Sequence, residues 1–378
     1  MRILIHSNGP HVFSGYGVQT NLLCRQLKSL GHDVAVSCLS GLSGQPIEWN
    51  DITLFPSGQA DFGADVVVGH AHTYGADLLL TLMDFRKLVN IAHVLKDQKF
   101  KTAVWVPIDT DDKLGMPDRL ALNGAQAIPI AMSKHGLKLL KEANFPDAEY
   151  APHSVDLDVF QPAEDWATVR KEVGVDGKFV IGLNAANSDA ARKSFPEQLM
   201  AFAQFHARHK NSLLFLHTLM STARGYNLYE LVEDLGLRDA VMMSDQYAYT
   251  AGLMPPEAMA AWYQSLNVLS NCSMGEGFGI PILESQATGT PVVVTRASAM
   301  PELCGAGWTV GGEPFWNPTH RALWLRPNIK QIAAAYEKAY RHAKDLREDA
   351  AAFAIPYDYR TVANTHWKPI LERIEGDL

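Results

Sequence analysis

Short apolar runs of strand length alternate along this chain with longer segments of helical spacing. "RILIHS" (2–7) is a mostly apolar run, followed by the turn-rich "NGPHVFSGYG". "VQTNLLCRQLKSLG" then spaces Leu22, Leu23, Leu27 and Leu30 as one helical face, with Gly31 as its stop. "HDVAVSCL" (32–39) returns as a strand. The same reading places buried strands at 64–72 ("ADVVVGHAH"), 101–109 ("KTAVWVPID") and 125–133 ("AQAIPIAMS"), and helices at 77–88 ("DLLLTLMDFRKL") and 134–144. Such alternation predicts a doubly wound α/β sheet with mostly parallel strands.

The rhythm breaks at "YAPHSVDLDVFQP", which carries two prolines and no periodicity, and the linker is set at 151–162. A second cycle starts at "KFVIGLNAA" and runs through "FPEQLMAFAQFHARH", "SLLFLHTL", "LNVLSNCS" and "PVVVT". "YRTVANTHWKPILERI" reads as one last amphipathic helix. The expected fold class is therefore α/β, with two Rossmann-like domains, 1–150 and 163–355, facing a central cleft, and a C-terminal helix within 356–378. In open α/β sheets ligands bind beyond the carboxyl ends of strands, so the loops after predicted strands are the places to look for chemistry.

Length and charge narrow this picture. At 378 residues the chain is long for one hydrophobic core, and 47% hydrophobic with 20% charged is ordinary for a globular protein. A net charge of −8 gives no general reason to expect a polyanion. Residues 1–150 hold 13 Lys/Arg against 15 Asp/Glu, and the "KDQKFK" run (96–101) reads first as a solvated loop, so nucleic acid is not a favoured partner. Cys24, Cys38, Cys272 and Cys304 are scattered without C-x-x-C spacing, as expected of reduced thiols. "MRILIHSNG" enters a strand pattern without signal-peptide architecture, and no apolar run is long enough to span a bilayer. The expectation is a cytoplasmic protein without a transmembrane segment.

The most informative stretch is "SMGEGFGIPILES" (273–285). Gly275, Gly277 and Gly279 allow positive φ and close backbone approach to a ligand. Pro281 suits the start of a helix, whose free N–H groups make an anion site. Glu276 stands in the loop and Glu284 is expected in the first helical turn, where the macrodipole alone would favour a carboxylate. Arg192 and Lys193, in "DAARKSFPE", precede another helix start at Pro196, and their bland reading is a solvated basic pair.

"SMGEGFGIPILESQATGTPVVVT" resembles the E-x7-E signature of retaining GT-B glycosyltransferases of the family 4 type, through Ser273, Glu276, Gly277, Phe278, Gly279, Pro281, Glu284, Ala287, Gly289, Pro291, Val292 and Val293. It departs at Ser285, where alanine is common. The resemblance implies that Glu276 sits beside the transferred sugar and that Glu284 accepts hydrogen bonds from ribose hydroxyls. Backbone around Gly277, Phe278, Gly279 and Ile280 would hold the sugar and distal phosphate. Lys193 matches a lysine that stabilises the leaving diphosphate. Arg192 would substitute for an arginine usually found after the preceding strand, where this chain has Asn184. Gly15 and Gly17 in "FSGYGVQT" resemble the family's glycine-rich loop near the donor. At the strand end "WVPID", Asp109 is kept but Ile108 replaces the usual histidine, so Asp109, Asp111 and His72 are the candidates on the acceptor side. The family's C-terminal helix crosses back to the first domain.

The reading that follows is a retaining glycosyltransferase using a UDP- or GDP-sugar, with a glycan, lipid-linked or small-molecule hydroxyl as acceptor. No cofactor is expected, and no metal despite the D-x-D in "DTDD", because cations and helix dipoles serve the phosphates. Transfer to a hydroxylated base in DNA, a sugar-nucleotide epimerase, and a catalytically silent sugar-nucleotide binder of the same fold are the alternatives left open.

Overall fold

The computed structural model describes residues 1–189 and 191–377. They form two compact units: Met1–Ser154 with Asn317–Ala322 and Tyr357–Leu378, and Val155–Trp316 with Leu323–Pro356. Each unit is organised around a parallel sheet.

The first unit contains β1 (Arg2–Ser7), β2 (Asp33–Cys38), β3 (Ile47–Trp49), β4 (Ile52–Phe55), β5 (Leu78–Leu82), β6 (Lys101–Val106), β7 (Ile128–Ala131) and β8 (Glu149–Tyr150). Their order is β3-β4-β2-β1-β5-β6-β7-β8. Neighbours run parallel except in the β3–β4 pair. Leu4, Ala35, Leu79 and Val104 pack with Leu88, Ile91 and Leu122 in one core.

The second unit contains β9 (Phe179–Asn184), β10 (Ser212–His217), β11 (Val241–Met243), β12 (Val268–Asn271), β13 (Val292–Thr295) and β14 (Gly307–Val310), in the order β11-β10-β9-β12-β13-β14. All of these pairs are parallel. The chain lays strands outward from β9 to β11, then returns to the other side of β9 with β12. The topological switch point therefore lies between β9 and β12, where ligands bind in doubly wound sheets. A separate two-stranded sheet joins β15 (Gly312–Asn317) and β16 (Ala322–Pro327). Leu183, Phe202, Phe205, Leu214, Val268, Val293 and Tyr336 fill the core of this unit.

Two assignments made from the pattern are exchanged. The 64–72 run, expected as a strand, is the helix Val67–Tyr74, which buries Val67 and Ala71, four residues apart, and ends at Gly75 with φ 69°. The 77–88 run, expected as a helix, is β5 followed by the helix Phe85–Leu95. Every residue of β5 is buried because it lies between β1 and β6. A fully buried strand shows no alternation and resembles a helix segment by composition.

The terminal segment is also less regular than its pattern. A π turn at Ala363–Trp367 separates Tyr359–Val362 from the helix Lys368–Gly376. Pro369 stands in the first turn after it, where a missing N–H costs least. Residues 151–154 are tied into the first unit, where Ala151 O accepts from Trp105 Nε1 at 2.8 Å and Ser154 O from Gln19 Nε2 at 2.8 Å.

Candidate active site

The loops at the carboxyl ends of β9 and β12 are joined through backbone and one buried amide. The register sets Val268 opposite Ile181 and Leu269 opposite Gly182, with Asn184 and Asn271 further along. After β9, Asp189 Oδ1 accepts from the N–H groups of Ala191 and Arg192 at 2.7 and 2.9 Å, turning the chain. After β12, Met274 N donates to Arg192 O at 2.7 Å, so the two loops are hydrogen-bonded directly. Gln198 is buried between them. Its Nε2 donates to Lys193 O at 2.8 Å, while its Oε1 accepts from Ser270 Oγ at 2.6 Å and Cys272 N at 3.1 Å.

That scaffold closes three side chains on Glu276. Lys193 Nζ lies 2.5 Å from Oε1 and Arg192 Nη1 lies 2.9 Å from Oε2. Ser273 Oγ donates to Oε1 at 2.6 Å. The Glu276 amide donates to Ser298 Oγ at 2.9 Å, fixing the backbone beneath the carboxylate. Glu276 is 7% exposed. Burial alone would raise its pKa, but Lys193 and Arg192, aided by Ser273, hold it down at about 2. It is an anion throughout the physiological range, with both oxygens engaged.

Glu284 is in a different electrostatic state. Its Oε2 accepts from Tyr263 Oη at 2.8 Å, and Tyr263 Oη in turn accepts from Asn184 Nδ2 at 2.7 Å. Burial without a cationic partner pushes its pKa up to about 7, against the lowering effect of the Tyr263 hydroxyl. Glu284 is the fifth residue of the helix Ile280–Ala287, past the first turn where it was expected, so the macrodipole does not account for its presence.

Tyr263 reaches this position because β9 carries glycine at 182. A Cβ there would lie 2.2 Å from Leu266 Cδ1 and 2.9 Å from Trp262 Cη2. The helix Pro256–Gln264 can therefore press onto the strand. Gly182→Ala is expected to destabilise the protein by about 1–3 kcal/mol through overpacking. A urea unfolding midpoint unchanged from wild type would contradict this.

Two helices start at these loops. Ile280–Ala287 begins after Gly279, whose φ of 112° puts it in glycine's range, and Phe195–Arg208 begins after Ser194 at φ 48°. Neither has a side-chain cap, and proline stands in the first turn of each. The buried Ser194 Oγ has no hydrogen-bond partner among the described atoms. Both N-termini carry positive potential, which suits an anion.

The sequence-derived candidates thus divide. Arg192, Lys193, Glu276, Gly277, Phe278, Gly279, Ile280 and Glu284 all belong to the switch-point region of the second unit. Gly15, Gly17, His72, Asp109 and Asp111 belong to the first. Gly15 and Gly17 are not loop residues: the helix Gly15–Ser29 starts there, and Ser14 Oγ accepts from Gly17 N at 3.1 Å. A Cβ on Gly17 would meet Val12 O at 2.0 Å, so that glycine serves a close backbone approach. His72 is not at a strand end but in the last turn of Val67–Tyr74, exposed, with its ring 5.7 Å from Phe100.

Asp109 follows β6 and lies 4.0 Å from His320 Nε2, whose other ring nitrogen is 3.8 Å from Asp118. Lys96, Lys99 and Lys101 are exposed, and Lys101 begins β6, so the basic run lies at the amino end of that strand. Among the described residues no group of three or more His, Cys, Asp or Glu could hold a metal ion, and no helix is long and apolar enough to cross a membrane. All four cysteines are free thiols.

Reasoning from sequence missed Tyr263, Gln198 and Ser298. Tyr263 lies in "AAWYQS", which carries no signal beyond an amphipathic helix. Gln198 lies five residues after Lys193 in "KSFPEQ", where nothing in the local pattern marks its amide as buried between two loops.

This geometry sits in a fold with well-defined relatives. Residues 199–341 match the family described as "Glycosyl transferases group 1". The chain is 34% identical over 162 residues to a D-inositol 3-phosphate glycosyltransferase from Arthrobacter sp. (strain FB24), covering 42% of this chain and 36% of that protein. It is 29% identical over 154 residues to an MMP alpha-(1->4)-mannosyltransferase from Mycolicibacterium hassiacum, covering 41% and 32%. The matched part thus spans less than half the length of these curated relatives.

Among solved structures, sucrose-phosphate synthase from Thermosynechococcus elongatus superposes with TM-score 0.77 at 16% identity, covering all of both chains. Anabaena Alr3699/HepE in complex with UDP-glucose superposes at 0.73 and 17%, also covering all of both. The fold is GT-B, with two Rossmann-like domains.

Proposed function

We propose that this chain is a retaining, metal-independent glycosyltransferase that moves a sugar from a nucleoside-diphosphate sugar to an acceptor hydroxyl. The observation that carries the reading is the Glu276 carboxylate set between Arg192 and Lys193 at the switch point of the second sheet. When a donor binds, its diphosphate takes the two cations and lies over the N-terminus of Ile280–Ala287. Glu276, released from them, faces the anomeric carbon and stabilises the positive charge that grows there. Arg192 and Lys193 stabilise the opposite charge on the leaving phosphate. Glu284 accepts from the ribose hydroxyls.

With these groups engaged, the departing phosphate oxygen takes the proton of the acceptor hydroxyl. Attack then comes from the face the phosphate leaves, and the anomeric configuration is kept. The E-x7-E resemblance supports retention, and the paired cations with two uncapped helix N-termini support handling of the phosphates without a metal. Likeness to a protein crystallised with UDP-glucose supports a nucleotide-sugar donor. Asp109 and Asp111, which follow the carboxyl end of β6, are proposed to serve the acceptor, whereas His72, packed on Phe100 at the amino end of that strand, is not.

Incubation with UDP-, GDP- and ADP-glucose and a panel of sugar, sugar-phosphate and inositol-phosphate acceptors in EDTA, followed by assay of nucleoside diphosphate and NMR of the sugar product, tests the reading. Release of one nucleoside diphosphate with an α-linked product is expected. A sugar changed in configuration without nucleotide release would replace it with an epimerase, and absence of any turnover would overturn it.

A further inference from the structure

A carboxylate that reads a diol needs two acceptor directions held towards the ligand, and Glu284 is held by an uncharged chain. Asn184 Nδ2 donates to Tyr263 Oη at 2.7 Å, which commits the hydroxyl's own hydrogen to Glu284 Oε2 at 2.8 Å. The direction of each bond is thereby fixed, because an amide nitrogen only donates. One carboxylate oxygen is anchored from behind, and the other is left to be satisfied by the ligand.

The Tyr263 ring has no freedom to let go. It is fully buried, stands edge-on to Trp262 at 5.0 Å and Phe160 at 6.2 Å, and its carbonyl accepts from Thr290 Oγ1 at 2.9 Å. The glycine at 182 lets its helix sit close enough for the contact. All three members belong to elements around the switch point: Asn184 closes β9, Tyr263 lies on Pro256–Gln264, which leads into β12, and Glu284 on Ile280–Ala287, which follows it.

We infer that Tyr263, braced by Asn184, is the positioning residue that makes Glu284 a reader of the ribose cis-diol, so that the site selects ribonucleotide over 2′-deoxyribonucleotide donors. The inference rests on the donor reading above. A cation in place of Tyr263 would neutralise Glu284 and compete with the ligand's hydroxyls for it. A neutral donor anchors the carboxylate and leaves its charge to be met by two hydroxyl groups. Loss of one of those hydroxyls from the ligand then leaves a half-buried carboxylate oxygen short of a donor, which is the expensive kind of mismatch.

Calorimetric titration of UDP, GDP and ADP, each beside its 2′-deoxy analogue, tests this on wild type, Tyr263→Phe and Asn184→Ala. Wild type is expected to bind the ribonucleotide of the accepted base about ten-fold or more tightly than its deoxy analogue, as for a hydrogen bond to a charged group. Tyr263→Phe is expected to bring that ratio near one while the deoxy affinity stays within about three-fold, since the diphosphate contacts are untouched. A merely structural role would weaken both ligands alike.

Asn184→Ala keeps the tyrosine and is expected to give an intermediate ratio. It carries the test if the phenylalanine variant fails to fold. A wild-type ratio in either folded variant, or equal loss for both ligands, overturns the inference while leaving the donor reading intact. Wild type that binds no nucleoside diphosphate overturns both.

Discussion

Glu276→Gln is expected to lower the rate of sugar transfer by about 10²–10³-fold, the scale on which loss of one preorganised charge-stabilising group is felt. The amide keeps the shape of the side chain but leaves Arg192 and Lys193 without their counter-charge. In the wild type those cations sit 2.9 and 2.5 Å from the carboxylate, so an incoming diphosphate must first displace it. The variant removes that competition. Nucleoside diphosphate is therefore expected to raise the melting temperature of Glu276→Gln by more than it raises that of wild type, while turnover collapses. Thermal melts with and without ligand, set beside the rate of nucleotide release, check both halves. An equal or smaller thermal gain in the variant would show that the carboxylate and the phosphates do not share these cations.

The second large effect is in pH. Glu284 has its pKa pushed up from 4.5 to about 7, so in the absence of ligand it contributes stability fully below pH 4.5 and loses that contribution as pH rises through 7. Ribose hydroxyls donate best to the ionised form, so binding draws the carboxyl towards ionisation and releases a proton. Between pH 6 and pH 8 the ionised fraction rises from about 0.1 to 0.9, and nucleotide affinity is expected to rise about ten-fold over that interval. Glu284→Gln is expected to flatten the profile and weaken binding at pH 8. Glu276 has the opposite sign: its pKa near 2 gives stability present above 4.5 and lost as pH falls towards 2, so it contributes no slope near neutrality. Affinity that falls between pH 6 and 8 in wild type would contradict the assignment to Glu284.

The two carboxylates were legible from sequence because glycines, proline and acids recur at short spacing in 273–285, and local spacing survives folding. The ion triad was half legible. Arg192 and Lys193 precede a helix start, but their meeting with Glu276, 84 and 83 residues away, depends on the β9–β12 switch point. The Asn184–Tyr263–Glu284 chain was not legible. It joins residues 79 and 21 positions apart, through a helix whose only local signal is amphipathic. The exchange of Val67–Tyr74 and Leu78–Leu82 has a related cause, since both runs are short and apolar and only sheet order tells which is enclosed. His72 was lost with that exchange, whereas Asp109 kept its place beyond β6.

The most direct measurement is calorimetric titration of UDP, GDP and ADP into wild type and Lys193→Ala, both in EDTA at pH 8. One-to-one binding of at least one nucleoside diphosphate to wild type is expected, weakened about ten-fold or more in Lys193→Ala, as for loss of a charged hydrogen bond. Binding to the variant that matches wild type, or no binding by wild type to any of the three, would contradict a diphosphate site at the carboxyl ends of β9 and β12.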